Sequence, residues 1–159
     1  MTAVCVSFAV AGYSLPSSYN CRVMAEIFEH TADIGIRARA VSLNELFADA
    51  ARGLFSVMVA NLDAVRSVEE ASFYIPGEDC EELLHDWLAE LLYTFHAKRI
   101  VLVEYRVDVG PAGLAATAWG ESIDPARHDI DAEVKAITWC GLKVEQVAGQ
   151  WQAEVVVDV

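Results

Sequence analysis

Three short stretches of the chain hold the residues best suited to chemistry: His30-Thr31-Ala32-Asp33, the run Val134-Lys135-Ala136, and the closing Asp158-Val159. Asp33 stands where a polar turn gives way to the apolar run from Ile34, and Asp158 interrupts the strand-like Val155-Val156-Val157. The sequence closes on Val159, so a terminal carboxylate would add an oxygen beside the Asp158 side chain. Brought together, Asp33, Asp158 and Val159 would offer oxygen donors alone, the chemistry of a hard cation such as calcium or magnesium.

Lys135 sits inside an apolar run, where a cation must meet a carboxylate or reach solvent. It is expected either to pair with Glu133 or Glu154 or to bring its ammonium to the Asp33 and Asp158 pair, tuning that site or contacting a phosphate. His30, three residues before Asp33, either faces the same cleft or forms a turn-stabilising hydrogen bond. His128 follows Arg127 in a polar loop and is expected to be an exposed loop histidine or to line the site. His85 and His96 fall on one expected helix, eleven residues apart by number, and suit surface or helix-end positions better than paired ligation.

No catalytic residue is assigned. Ser56, Ser67, Ser72 and Ser122 lack a nucleophile-elbow context. Neither of the common glycine-rich phosphate loops occurs.

The elements that must position these residues begin near Glu26. Strand-like Ile27-Phe28 precedes the polar turn, and a second strand runs from Ile34 to Val41. Ser42, with Glu45 three residues on, has the spacing of a capping box, and Leu43, Leu46, Phe47, Ala50, Leu54 and Met58 recur at helical intervals. Val65 to Ile75 reads as an edge strand ended by Pro76-Gly77. A second helix from about Asp79 to Ala97 carries the stripe Leu83, Leu84, Trp87, Leu88, Leu91, Leu92 and Phe95. Strand-like runs follow at Ile100–Val109, Leu114–Trp119, Ile130–Trp139, Leu142–Val147 and Trp151–Val157. Hairpin-like connections are expected at Gly110-Pro111-Ala112-Gly113, Asp124-Pro125 and Ala148-Gly149. The strand, helix, strand order repeats faintly around each helix. The expected fold is α+β: two helices packed on a mostly antiparallel sheet in a single two-layer domain.

At 159 residues, 55% hydrophobic, the chain can bury one proper core. Eleven basic against 24 acidic residues give a formal charge of −13, which opposes direct binding to a phosphate backbone and favours basic partners or cations. Cysteines 5, 21, 80 and 140 form no C-x-x-C pair and read as reduced thiols of a cytoplasmic protein. Val4 to Val10 is apolar but lacks a basic flank and is too short to span a bilayer, so no membrane association is expected. Residues 1–24 are expected to form a disordered or misassigned leader, with Met1 and Met24 as alternative starts, and 25–159 the folded domain.

Four ordered blocks, Phe28 to Ile36, Asp124-Pro125-Ala126-Arg127-His128, Glu133 to Trp139 and Asp158-Val159, together resemble the archease family, from about Ile27 to the last residue. The helix segment Leu83 to Leu92 fits between them. The resemblance implies an archease-type domain and an accessory protein, not an enzyme. Archeases assist the RtcB-type RNA ligase, which joins a 2′,3′-cyclic or 3′-phosphate end to a 5′-hydroxyl in tRNA splicing and RNA repair, by promoting ligase guanylylation and multiple turnover. Carried over, the metal site falls on Asp33, Asp158 and Val159, and the residues of ligase activation on Asp33, Lys135 and Asp158. Many family members place a histidine after Thr-Tyr where this chain has Trp139-Cys140, which marks that position as peripheral. Two other classes fit the residues without the resemblance: a metal-binding, chaperone-like interaction module, and a small metal-dependent phosphohydrolase using Asp33 and His30.

Overall fold

The computed structural model describes residues 25–30 and 33–159, His30 by its backbone alone. The opening hairpin pairs β1 (Glu26–His30) with β2 (Asp33–Ala40), in register from Glu26 opposite Arg37 to His30 opposite Asp33. Ser42 then caps α1 (Leu43–Met58), its hydroxyl accepting the Glu45 amide at 3.2 Å, as the capping spacing requires. The apolar periodicity of α1 becomes a buried face that includes Leu46, Phe47, Leu54, Phe55 and Met58, packed against strands of both sheets.

A single 3₁₀ turn (Leu62–Ala64) leads into β3 (Glu69–Pro76), so the edge strand starts later than Val65. Asp79 caps α2 (Cys80–Tyr93) by accepting the amides of Glu81 and Glu82 at 3.0 and 2.9 Å. One π turn (Thr94–Lys98) continues that helix to Arg99, whose φ of 57° is left-handed and turns the chain out of it. Trp87, fully buried on α2, donates its indole N–H to the Phe47 carbonyl of α1 at 3.1 Å and meets Phe73 edge-on with ring centroids 5.3 Å apart.

The remaining strands are β4 (Ile100–Gly110), β5 (Gly113–Ser122), β6 (Ala136–Ile137), β7 (Lys143–Val147) and β8 (Gln150–Asp158). All their pairings are antiparallel, and they divide into two sheets. The first runs β1-β2-β8-β6 with β7 also on β8, and the second runs β3-β5-β4. The expected α+β class with two helices and antiparallel sheets is therefore the observed one. The hairpins at Gly110–Gly113 and Ala148-Gly149 form where expected, the second with both central residues at positive φ, 52° and 81°.

Two expectations need correction. Ile130–Trp139 is not a strand along its length: only Ala136–Ile137 joins a sheet, because the amides of Asp131 and Ala132 go to the carbonyls of Met58 and Val57 at the end of α1. Asp124-Pro125 is not a hairpin. There the Asp124 carbonyl accepts the amides of both Arg127 and His128, which folds the chain back on itself.

The expected leader, residues 1–24, with Cys5, Cys21, both candidate starts and the Val4–Val10 run, lies outside the described residues. Cys80 is half-buried and Cys140 exposed, and both are free thiols. Among the described residues no helix is long and apolar enough to cross a membrane.

Candidate functional site

The first sheet gathers the candidate residues at one of its ends. In antiparallel pairing, a strand's first residue stands beside its neighbour's last. The β2–β8 ladder closes with Ile34 opposite Val157, and Asp33 and Asp158 are the next residues on the two strands. On the far side of β8, Ala136 stands opposite Asp158, with Lys135 immediately before it. On the far side of β2, His30 stands opposite Asp33. Four neighbouring strands thus bring His30, Asp33, Asp158 and Lys135 to the same sheet end, although the sequence spreads them over almost its whole length.

Side-chain alternation fixes the face. Ile36, Ala38, Val155 and Val157 point into the core, so Asp33 and Asp158 share the opposite face with Arg37 and Glu154. On that face the Phe28 ring covers Gly35, where a Cβ would overlap the ring, and the Arg37 guanidinium lies 4.9 Å above the Phe28 centroid. Arg37 also holds Glu154 at 2.7 Å, which removes Glu154 as a partner for Lys135.

Lys135 is exposed and doubly tied to the end of the chain. Its amide donates to the Asp158 carbonyl at 2.7 Å, and its ammonium donates to the Val159 backbone oxygen at 3.3 Å. Among the described residues the carboxylates of Asp33, half-buried, and Asp158, exposed, have no hydrogen-bond or ion-pair partner, so their oxygens are available. No group of three or more His, Cys, Asp or Glu side chains among the described residues is placed to hold a metal ion. The oxygen donors at this sheet end are the two carboxylates and the Val159 backbone oxygen. Three oxygens alone would leave a calcium or magnesium shell partly open, for water or a partner's groups to complete.

Short contacts hold the Lys135 segment in place. The Thr138 amide and hydroxyl both donate to the Val156 carbonyl, at 3.0 and 2.9 Å. His96 Nε2 meets the Val134 carbonyl at 2.8 Å. His85 stacks on Trp139 with ring centroids 3.9 Å apart, while its Nε2 lies 3.3 Å from the Ile137 carbonyl. Both helix histidines therefore pin β6 and its approach to α2.

His128 is not an exposed loop histidine and does not join this sheet end. It is buried beside Glu121 of β5, its Nδ1 accepting the Asp124 amide at 3.0 Å and its Nε2 meeting Glu121 at 3.1 Å. Arg127 grips the same carboxylate with two nitrogens at 2.8 and 3.0 Å, and Arg66 adds its backbone and guanidinium N–H groups. These donors, Arg127 foremost, hold the Glu121 carboxyl well below the usual carboxylate range, against the opposing effect of its burial. A buried acid in a strand needs such partners, and Arg127-His128, six and seven residues downstream, was the available signal for Glu121.

Residues 26–159 match the model of the Archease protein family (MTH1598/TM1083), and the chain belongs to that family. It is 39% identical over 139 residues to protein archease of Pyrococcus furiosus, covering 84% of this chain and 97% of that protein. Among solved structures, Methanobacterium thermoautotrophicum protein 1598 superposes with a TM-score of 0.71 at 34% identity, over 85% of this chain and 98% of that one. An archease from Thermotoga maritima, described as a possible chaperone, shares the fold with a TM-score of 0.57 at 21% identity, over 93% of this chain and all of that one.

Proposed function

We propose that this protein is a cytoplasmic accessory factor of an RtcB-type RNA ligase, promoting guanylylation and repeated turnover of the ligase without catalysing a reaction itself. The observation that carries this reading is the convergence of Asp33, Asp158 and Lys135 at one sheet end of an archease-family chain. Asp33, Asp158 and the Val159 backbone oxygen would hold calcium or magnesium, which when bound would supply charge neutralisation for a phosphoryl group at the ligase. The chain's own contribution is positional. β2, β8 and β6 fix the spacing of the two carboxylates, the hydrogen bond from the Lys135 backbone N–H to the Asp158 carbonyl anchors the last residues, and the open side of the donor set leaves room for a partner's groups. The acidic surface, formal charge −13, suits a basic protein partner and disfavours direct, stable binding to RNA.

A chaperone-like module would instead work through exposed apolar surface. The Thermotoga maritima archease is described as a possible chaperone, but among the described residues the large exposed apolar side chains, including Val41, Tyr74, Tyr93, Trp139 and Val147, fall on separate stretches of the chain.

The test is turnover of the cognate ligase on cleaved RNA with GTP and divalent metal, with and without this protein and with Asp158→Ala. Stimulation by the wild type that Asp158→Ala loses while staying folded is the expected outcome. Equal stimulation by the folded variant would reject the carboxylate site, and phosphoester hydrolysis by the isolated protein would favour the hydrolase.

A further inference from the structure

Trp139, in the turn between β6 and β7, is 56% exposed and yet firmly held. One face of its ring lies flat on His85 of α2, with centroids 3.9 Å apart and planes 13° from parallel, and its carbonyl accepts the Leu142 amide at 3.3 Å, which closes the turn. An indole covered on one face and still more than half exposed turns its other face to solvent. Asp86, also exposed, meets Nδ1 of the same imidazole at 3.0 Å, and Glu82, one helical turn earlier, is exposed on the same stripe of α2. Among the described residues neither acid is paired with a lysine or arginine.

Lone exposed apolar residues are ordinary on a protein surface. Trp139 differs in being preorganised, so a contact with it costs little ordering entropy, and in having an open carboxylate beside it. A flat π face next to a carboxylate suits a guanidinium, which stacks on aromatic rings and pairs with carboxylates through its N–H fork. An anion would be repelled there, and a formal charge of −13 adds long-range attraction for a basic surface. Trp139 is also four residues from Lys135 on one segment, at most about 13 Å at ~3.3 Å per residue, so a partner seated on it reaches the candidate sheet end.

We infer that Trp139 and Asp86 form a docking point for an arginine on the surface of the partner ligase. This rests on the ligase reading above and names where the ligase is held. The docking point sets how tightly the two proteins associate, and Asp33, Asp158 and Lys135 set what the associated protein does. A chaperone-like surface needs contiguous apolar area, whereas a single aromatic anchor with a charged neighbour is enough to hold one partner in register.

The test is to titrate the full chain into the cognate ligase with cleaved RNA, GTP and divalent metal, and to read the half-maximal concentration and the maximal stimulation separately. Trp139→Ala is expected to raise the half-maximal concentration roughly tenfold or more with the maximum unchanged, as loss of an aromatic anchor does. Trp139→Phe, which keeps a flat ring, is expected to recover most of that loss. Asp86→Asn is expected to raise the half-maximal concentration roughly twofold to fivefold, a difference that disappears at high salt. Circular dichroism melts check that each variant is folded. A lower maximum at an unchanged half-maximal concentration would mean that Trp139 merely steadies the Lys135 segment through His85, and overturns docking. A Trp139→Ala curve identical to the wild type overturns it as well and leaves the ligase reading standing. Dimerisation of the isolated protein that Trp139→Ala abolishes, seen by sedimentation, would assign this face to a second copy and overturn docking of the ligase there. Absence of stimulation by the wild type overturns the ligase reading and the inference together.

Discussion

Replacing Trp87 by phenylalanine should cost this fold about 3 kcal/mol. Trp87 is fully buried, donates to the Phe47 carbonyl of α1 at 3.1 Å and packs edge-on against Phe73. The smaller ring removes roughly 40 Å² of buried apolar surface, worth about 1 kcal/mol at ~25 cal/mol per Å². The void it leaves adds about 1 kcal/mol if the surrounding side chains do not close in. The lost hydrogen bond contributes ~1 kcal/mol, and no more, because the Phe47 carbonyl lies inside α1 and keeps its helical partner. For a chain of this size the expected fall in melting temperature is roughly 6–12 °C. Urea titration followed by circular dichroism gives the free energy, and an unchanged slope would show that the unfolded state is not responsible. A loss below about 1 kcal/mol would refute the reasoning, since it would mean that the core relaxes around the smaller ring and that the Trp87–Phe47 bond is worth nothing net.

Glu121→Gln should flatten the acid side of the stability curve. The Glu121 carboxyl is held below its unfolded value, so its stabilisation is fully present above about pH 4.5 and drains as the pH falls through its lowered folded-state value. Thermal melts from pH 7 down to pH 3 should show a smaller relative loss in the variant; equal slopes would refute this. Gly120→Ala should prevent normal folding, because its Cβ would lie 2.7 Å from the Val101 carbonyl carbon and 2.8 Å from Leu102 Cα, backbone atoms held in the β4–β5 pairing that cannot swing aside. Gly35→Ala, where the three atoms nearest a Cβ all belong to the Phe28 side chain, should fold with reduced stability, and the relative yields of soluble protein check the contrast.

The helices and the long strands were legible because local signals agreed: the Ser42 cap with its apolar repeat, the Asp79 cap with the stripe through Trp87, and the glycine-marked hairpins around β4, β5, β7 and β8. Ile130–Trp139 misled because an apolar run that resembles a strand is a crossing segment whose amides change partner along it, those of Asp131 and Ala132 going to the end of α1 and those of Lys135 and Thr138 to β8. His128 misled for a related reason: a polar loop predicts exposure, and only the need of a buried Glu121 for donors draws that histidine inward. Of the candidate site, the residue types were readable from position alone. Their meeting depended on β8 lying between β2 and β6, and no local pattern specifies that order.

That order also sets when the sheet end can exist. Among the described residues β2 is the second strand and its neighbour β8 the last, so the pairing that sets Asp33 and Asp158 at one sheet end closes only after the elements between them have been made. Pairings this distant in sequence form late and slowly in folding. A chain that stops short of β8 therefore carries one carboxylate of the pair without the other.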